Sequence, residues 1–447
     1  MSGRFNEAVE KHRKLILDTF DYVWRNPETG YREVKTNKYL KEAFEKLGYE
    51  LTLAGNIPGF YTVVDTGRPG PEVLVLGEMD SLICPDHPEA DPETGAVHCC
   101  GHAAQIGAFI GIAAALKEPG VLDSLSGRIR LCAVPAEELI EIEYRSKLKE
   151  QGIIKSYGGK SEFLRRGYFD GVDVALMVHT TVDSVPSAFK SWVGCLAKSV
   201  IYKGRSAHAG GSPWNGCNAL YAAQLGLSAI NSIRETFKES DVIRVHPIIT
   251  KGGNAVNAIP DEVIVESYVR GRTFKAIEDA NAKVNRALVG AALSLGANVD
   301  IRDYPGYAPL VNSAAMLELA AEAAGEVEEL PEFEYRDRVG SGSTDMGDLS
   351  CVMPVVHPYV PGAEGISHGA TYKIADPDLA CVASAKWQLA MIELLLKNGG
   401  ERAKHVKAEY VPEFSSTEEF FKYVDSLECS GCRINYSEDK SSAEVKL

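Results

Sequence analysis

Positive charge is in short supply in this chain: 47 Lys and Arg stand against 62 Asp and Glu, a formal net charge of −15. Nucleic acid and anionic membrane surfaces both call for a positive field, so the composition argues against either as a partner. Long apolar runs are lacking as well. No stretch reads as the roughly eighteen consecutive apolar residues that a membrane span requires. The first residues, Met1 to Glu7, are charged from the outset and hold no apolar segment of signal-peptide length, which leads to the expectation of a cytoplasmic protein. The 10 Cys residues follow no framework spacing, as expected of free thiols in a reducing compartment. Internal repeats and low-complexity tracts are absent.

At 447 residues the chain exceeds one hydrophobic core of ordinary size, so two domains and an extension are expected. Residues 4 to 48 read as two helices parted by Asn26-Pro27-Glu28-Thr29-Gly30. Three apolar strands follow, and each ends in residues able to do chemistry. Val73 to Gly77 runs into Glu78-Met79-Asp80, Arg128 to Val134 into Pro135-Ala136-Glu137-Glu138, and Val172 to Val178 into His179. Continuous apolar strands separated by helical segments imply an α/β sheet, whose carboxyl edge is where such sheets bind ligands.

Between the first two strands lies Val97-His98-Cys99-Cys100-Gly101-His102, at the mouth of a helix with Ile106, Phe109, Ile110 and Ala113 at i, i+3, i+4 and i+7. That spacing predicts an amphipathic helix with Cys100 and His102 at its start, where a thiolate is favoured. Cys and His one residue apart make a plausible pair of ligands for a divalent metal. Taken singly, each candidate also has an ordinary reading: Glu137 and Glu138 as a solvated strand end, His179 as a satisfied core histidine. Their convergence on one sheet edge favours a metal site, because buried carboxylates and imidazoles need partners or a cation.

From residue 187 to 306 the order becomes β-α-β-β-α-β, that of a ferredoxin-like sandwich. Its strands are expected at Leu196 to Tyr202, Val242 to Ile249, Glu262 to Arg270 and Asn298 to Arg302, its helices at Asn218 to Phe237 and Ile277 to Leu295. One edge strand would stay available for pairing with a second subunit. The α/β pattern then resumes. It includes Ser341-Gly342-Ser343-Thr344-Asp345-Met346-Gly347, and His368 in a Gly-rich loop as a late candidate ligand; His357, a strand-end residue before Pro358, reads as structural. The expected division is 1–186 and 307–396 for a catalytic domain, 187–306 for an inserted domain and 397–447 for a C-terminal extension. In the last, Cys429-Ser430-Gly431-Cys432 is a lone C-x-x-C and reads as unpaired thiols, since no second ligand pair lies near.

His98-Cys99-Cys100-Gly101-His102, Pro135-Ala136-Glu137-Glu138, His179, Gly204-Arg205-Ser206-Ala207-His208-Ala209 and Ser341 to Gly347, in that order, resemble the metal-dependent amidohydrolases of the aminobenzoyl-glutamate utilisation type, in metallopeptidase family M-twenty. The likeness spans roughly residues 10 to 395. It implies a mixed-sheet, zinc-peptidase-like α/β catalytic domain with an inserted ferredoxin-like α+β dimerisation domain. It implies two divalent ions per subunit, Zn or Mn, held by Cys100, His102, Glu138, His179 and His368, with Glu137 as general base. Asp80 would orient a ligand or the base from behind. His208 would reach the active site of a partner subunit in a homodimer, and Asn257 would bind substrate. Arg270 or Arg272 would hold a carboxylate; Arg270 is preferred, although residues two apart on a strand share a face and either could serve.

Many relatives follow C-G-H with Asp and then a further His, whereas this chain has Ala103 and Gln105, read here as specialisation with the ligand positions intact. The implied activity is hydrolysis of the amide bond of an N-acyl amino acid or dipeptide. The alternatives are a narrow-specificity dipeptidase and a non-catalytic metal-binding subunit of a heteromeric hydrolase.

Overall fold

The computed structural model describes residues 2–438 and 441–447. They divide into two compact units. The first comprises the chain up to Ser191 with Leu310–Gly340 and Thr344–Thr417; the second comprises Trp192–Pro309, Ser341–Ser343 and Glu418–Leu447. The C-terminal stretch, expected as one extension, is therefore shared between the two.

In the first unit a six-stranded sheet runs in the order Thr52–Leu53, Phe60–Asp65, Arg128–Val134, Glu72–Glu78, Val174–Leu176, Val355–Val356. Glu72–Glu78 lies parallel to both neighbours while Phe60–Asp65 joins antiparallel, so the sheet is mixed. Every residue of Glu72–Glu78 is buried, as a continuous apolar run demands when helices cover both faces. The register sets Glu78 opposite Val134. Asp80, Glu137 and Glu138 consequently leave the sheet at one edge, and His179 leaves the next strand at the same edge.

The helix His102–Ala115 packs behind that edge, and here the expectation of an amphipathic helix needs correction: all 14 of its residues are buried. Its surface is mostly Ala and Gly, which lets neighbouring elements close in on every side. A Cβ on Gly111 would stand 2.6 Å from Ile16 Cδ1 of the helix Arg13–Trp24, so any larger residue would have to push the Ile16 side chain aside. Ile106, Phe109 and Ile110 belong to one core with Phe44, Phe60 and Trp387, and the Phe44 and Phe109 rings lie 5.4 Å apart. Each such side chain contributes about 1.5–3 kcal/mol on burial.

Two further expectations change. The N-terminal stretch forms three helices, Ser2–Lys11, Arg13–Trp24 and Val34–Lys46, the first two parted at His12. One helical stretch, Asp378–Leu396, is long and apolar enough to cross a membrane by length and composition, and 94% of its apolar window is buried inside the protein.

In the second unit Arg244–Val245, Glu262–Gly271, Gly194–Lys203 and Asn298–Pro305 form an antiparallel sheet in that order, with Ile248–Lys251 also paired to Glu262–Gly271. Alternate residues of Glu262–Gly271 are buried, as a strand half covered by the helices Ala219–Ser232 and Phe274–Ser294 must be. Asn218 and Thr273 cap those helices through side-chain oxygens. The strand expected over Val242 to Ile249 is broken at His246-Pro247, because proline has no N–H to give to a ladder.

The two edges of this sheet differ. Beside Asn298–Pro305 the C-terminal chain adds a further strand-like run: Asp303 N–H donates to the Cys429 carbonyl at 2.8 Å, Ile301 N–H to Gly431 at 3.2 Å, and Arg433 N–H to Val299 at 2.9 Å. The open edge is the other one, where Ile248–Lys251 is exposed along its length.

Candidate metal centre

Gly101 makes the approach to the centre possible. Its φ is 115°, and a Cβ there would meet Tyr372 Oη at 2.7 Å and Thr180 Cβ at 3.1 Å. Only glycine fits, and the turn carries Cys100 and His102 to the sheet edge from opposite sides of it. Tyr372 Oη donates to the Cys100 carbonyl at 3.1 Å and His368 N–H donates to the Cys99 carbonyl at 2.9 Å, which ties the late loop to this one.

The five sequence-predicted ligands meet. Cys100 Sγ lies 3.4 Å from His179 Nε2 and 3.4 Å from His368 Nε2, and His368 Nε2 lies 3.4 Å from Glu138 Oε1. Donor atoms of Cys100, His102 and His179 form one trio within 4.8 Å of one another, and those of Cys100, Glu138 and His368 form a second. Cys100 is common to both. A third trio, Glu78, His102 and Glu137, shares His102.

The tautomers follow from the carbonyls. His102 Nδ1 sits 2.8 Å from the Asp80 carbonyl oxygen and His179 Nδ1 sits 2.8 Å from that of Thr180, so each Nδ1 carries the proton and each Nε2 turns a lone pair inward. His102 Nε2 has no hydrogen-bond donor and faces Glu78 Oε2 at 3.2 Å and Glu137 Oε2 at 3.9 Å. Lone pairs opposed in a dry interior need a positive charge between them. With a thiol, imidazoles and carboxylates as donors, the residues present fit divalent cations of the zinc class.

Electrostatics point the same way. Burial, followed by the Glu138 carboxylate, pushes the Cys100 thiol well above its ordinary value, so the helix start does not by itself make a thiolate, contrary to expectation. Burial, then Glu78 and Glu138, raises Glu137 well above the carboxylate range. Burial lowers His102, but Glu78 and Cys100 outweigh it and raise the imidazole well above its usual value, so the place between Nε2 and Glu78 Oε2 draws a positive charge, a proton or a cation in its stead. Burial takes His179 down to about 4, leaving it neutral and able to ligate. Asp80 lies behind the centre: Oδ1 is 3.3 Å from His102 Nδ1, and Oδ2 accepts the Glu138 N–H at 2.8 Å. His357 is buried, and its ring is stacked on that of His179 with the centroids 5.9 Å apart.

The remaining candidates belong to the second unit. His208 is exposed, and its Nδ1 accepts N–H groups of Gly210 and Gly211 at 3.2 and 2.8 Å, which leaves Nε2–H free to donate. Its segment bridges to Ala258, and the Asn257 carbonyl accepts the Ala209 N–H at 2.9 Å, so His208 and Asn257 occupy adjoining segments. Arg270 lies on the sheet face away from the helices, its Nη1 3.2 Å from the Ser341 carbonyl. Arg272 falls beyond the last residue of Glu262–Gly271, so the two arginines do not share a pleat of one strand.

Sequence reasoning passed over Glu78 and Tyr372. Glu78 ends a strand two residues before Asp80, a position that could have flagged it; nothing local distinguishes Tyr372.

The model of Peptidase family M20/M25/M40 matches residues 74–391. The chain belongs to this family. It is accordingly a metal-dependent amidohydrolase with the mixed-sheet metallopeptidase fold. It is 28% identical over 391 residues to mouse Xaa-Arg dipeptidase, covering 83% of this chain and 81% of the relative. To one of the subunits of the p-aminobenzoyl-glutamate hydrolase of Escherichia coli it is 29% identical over 312 residues, 66% of this chain and 59% of the relative. A Bacillus subtilis structure described as a dinuclear metal binding peptidase of the M20 family superposes with a TM-score of 0.63 at 19% identity, covering 87% of this chain and 99% of that one.

Proposed function

We propose that this member of family M20/M25/M40 hydrolyses the amide bond of an N-acyl amino acid or dipeptide, as a cytoplasmic homodimer. The observation that supports it most is Cys100 standing in two donor trios at once, with Glu137 beside them. Cys100, His102 and His179 would hold one divalent cation, and Cys100, Glu138 and His368 the other. Bound there, zinc or manganese supplies Lewis acidity and brings the pKa of water toward about 7.

The protein's own groups do the rest. Glu137 takes the proton of the attacking water and returns it to the leaving nitrogen. Asp80 fixes the His102 ring and the Glu138 backbone. His208, supplied by a second copy of the chain, donates Nε2–H to the oxyanion; loss of one such donor elsewhere costs about 2.7–4 kcal/mol. Asn257 and Arg270 grip the substrate carboxylate, Arg270 with its two-pronged guanidinium.

A narrow-specificity dipeptidase is the second reading, favoured by the Xaa-Arg dipeptidase likeness and by the net charge of −15, which suits a basic leaving residue. A hydrolysis panel of N-acyl amino acids and dipeptides with basic or neutral C-terminal residues separates the two. Glu137→Gln tests the mechanism: it should keep the metal and abolish turnover, whereas surviving turnover would overturn the role of Glu137. A metal-loaded wild type that cleaves no member of the panel would overturn both readings and leave the chain as the metal-binding partner of another hydrolase.

A further inference from the structure

Glu78 has no place in the five-ligand scheme, yet it is held on every side. Its side chain is wholly buried. Oε1 pairs with Lys160 Nζ, and Oε2 accepts from Gln105 Nε2 at 3.2 Å. Gln105 Oε1 accepts the Glu78 N–H at 2.6 Å, and Gln105 Nε2 also reaches the Val178 carbonyl at 3.3 Å. Lys160 is itself wholly buried; Nζ lies 2.5 Å from Asp345 Oδ1, and its N–H donates to Asp345 Oδ2 at 2.8 Å. One ammonium thus faces two carboxylates, and this cluster retains a net negative charge. That charge is aimed: Oε2, the oxygen turned away from Lys160, is the one 3.2 Å from His102 Nε2.

One departure from the resembled motifs and one residue within them meet in this arrangement. Gln105, which stands where many relatives carry a second His, serves as a clamp on Glu78. Asp345, in the Ser341 to Gly347 motif that the proposed mechanism leaves without a role, anchors Lys160. An isolated lysine in the interior would be costly, but here it is enclosed by its partners and locks one rotamer of Glu78.

We propose that Glu78, clamped by Gln105 and by the Asp345–Lys160 pair, is a positioning residue that directs a carboxylate oxygen at the cation held by His102 and sets that site's affinity. This rests on the two-cation reading above. It differs from a packing role because it depends on the charge of Oε2 and not on the shape of the side chain.

The test is zinc and cobalt binding by the full-length protein, wild type against Glu78→Gln, which leaves the Lys160–Asp345 pair balanced, and against the triple variant Glu78→Gln/Lys160→Met/Asp345→Asn, which removes all three buried charges together. Circular dichroism checks folding. The expected result is two cations in the wild type and, in both variants, one of them weakened about 10–100-fold in competition with a chelator, with an altered visible spectrum of the cobalt form. Should either folded variant bind two cations with wild-type affinity and an unchanged cobalt spectrum, Glu78 has no such role. A wild-type protein that takes up no cation would overturn the two-cation reading together with this one, whereas the first result overturns this one alone.

Discussion

His102 and Glu138, on different segments of the chain, are held by one residue: Asp80 accepts the His102 Nδ1–H through its carbonyl at 2.8 Å and the Glu138 N–H through Oδ2 at 2.8 Å. An anchor common to both proposed cation sites should affect both when it is removed. Asp80→Ala keeps the carbonyl but removes the carboxylate, whose Oδ1 stands 3.3 Å from His102 Nδ1 and whose Oδ2 accepts the Glu138 N–H, and is expected to weaken cation binding about 10–100-fold, read by chelator competition. Unchanged affinity in a folded variant would show that Asp80 merely fills space.

Gly101 offers a test of the turn. With φ at 115° and Tyr372 Oη 2.7 Å from the place a Cβ would take, Gly101→Ala must either distort the turn or displace Tyr372. A loss of about 1–3 kcal/mol in denaturant unfolding is expected, together with weaker metal retention. A variant that matches wild type in both measurements would contradict so close an approach.

A buried ion pair in the second unit gives a pH signature. Burial alone would raise the Asp303 carboxyl, but contact with Lys198 holds it below its ordinary value of 3.8. A depressed carboxylate adds stability that is complete above the unfolded pKa and fades as pH falls through the lower folded value. Asp303→Asn leaves Lys198 buried without its counter-charge and should cost about 3 kcal/mol at neutral pH. The gap from wild type should shrink as pH drops below 3.8, followed by urea midpoints across pH. A gap of constant size would exclude the pair as its cause.

Hydrogen exchange probes the C-terminal run. Ile301 and Asp303 give their N–H groups to Gly431 and Cys429, so both amides should exchange slowly in the full chain. Removal of residues 429–447 should release them and leave an unpaired sheet edge, with self-association visible by light scattering. Protection that survives truncation would mean the run contributes no lasting pairing.

What the sequence makes legible is local chemistry at strand ends. Glu137, Glu138 and His179 each follow an apolar run, and a parallel sheet brings such ends together whatever the connections between them. The complete burial of His102–Ala115 was hidden because its Ala and Gly residues look neutral to a periodicity argument, yet they are what allow close packing all round. Lys160 was hidden for a different reason. A lysine in Gly158-Gly159-Lys160-Ser161 reads as solvated, and only Glu78 and Asp345, 82 and 185 positions away, make its burial tolerable. Pro247 should have divided its strand on chemistry alone. The pairing of Cys429 to Arg433 with Asn298–Pro305 depends on backbone groups that every residue carries, so no side-chain pattern announces it.

The most direct measurement is the metal content of the purified, reconstituted protein, set beside that of Cys100→Ala. Two cations per chain are expected in the wild type, with both sites weakened at once in the variant, because Cys100 Sγ lies within 3.4 Å of ligands from both trios. A wild-type protein that retains no cation, or a Cys100→Ala variant that keeps two with undiminished affinity, would contradict a centre built around that sulfur.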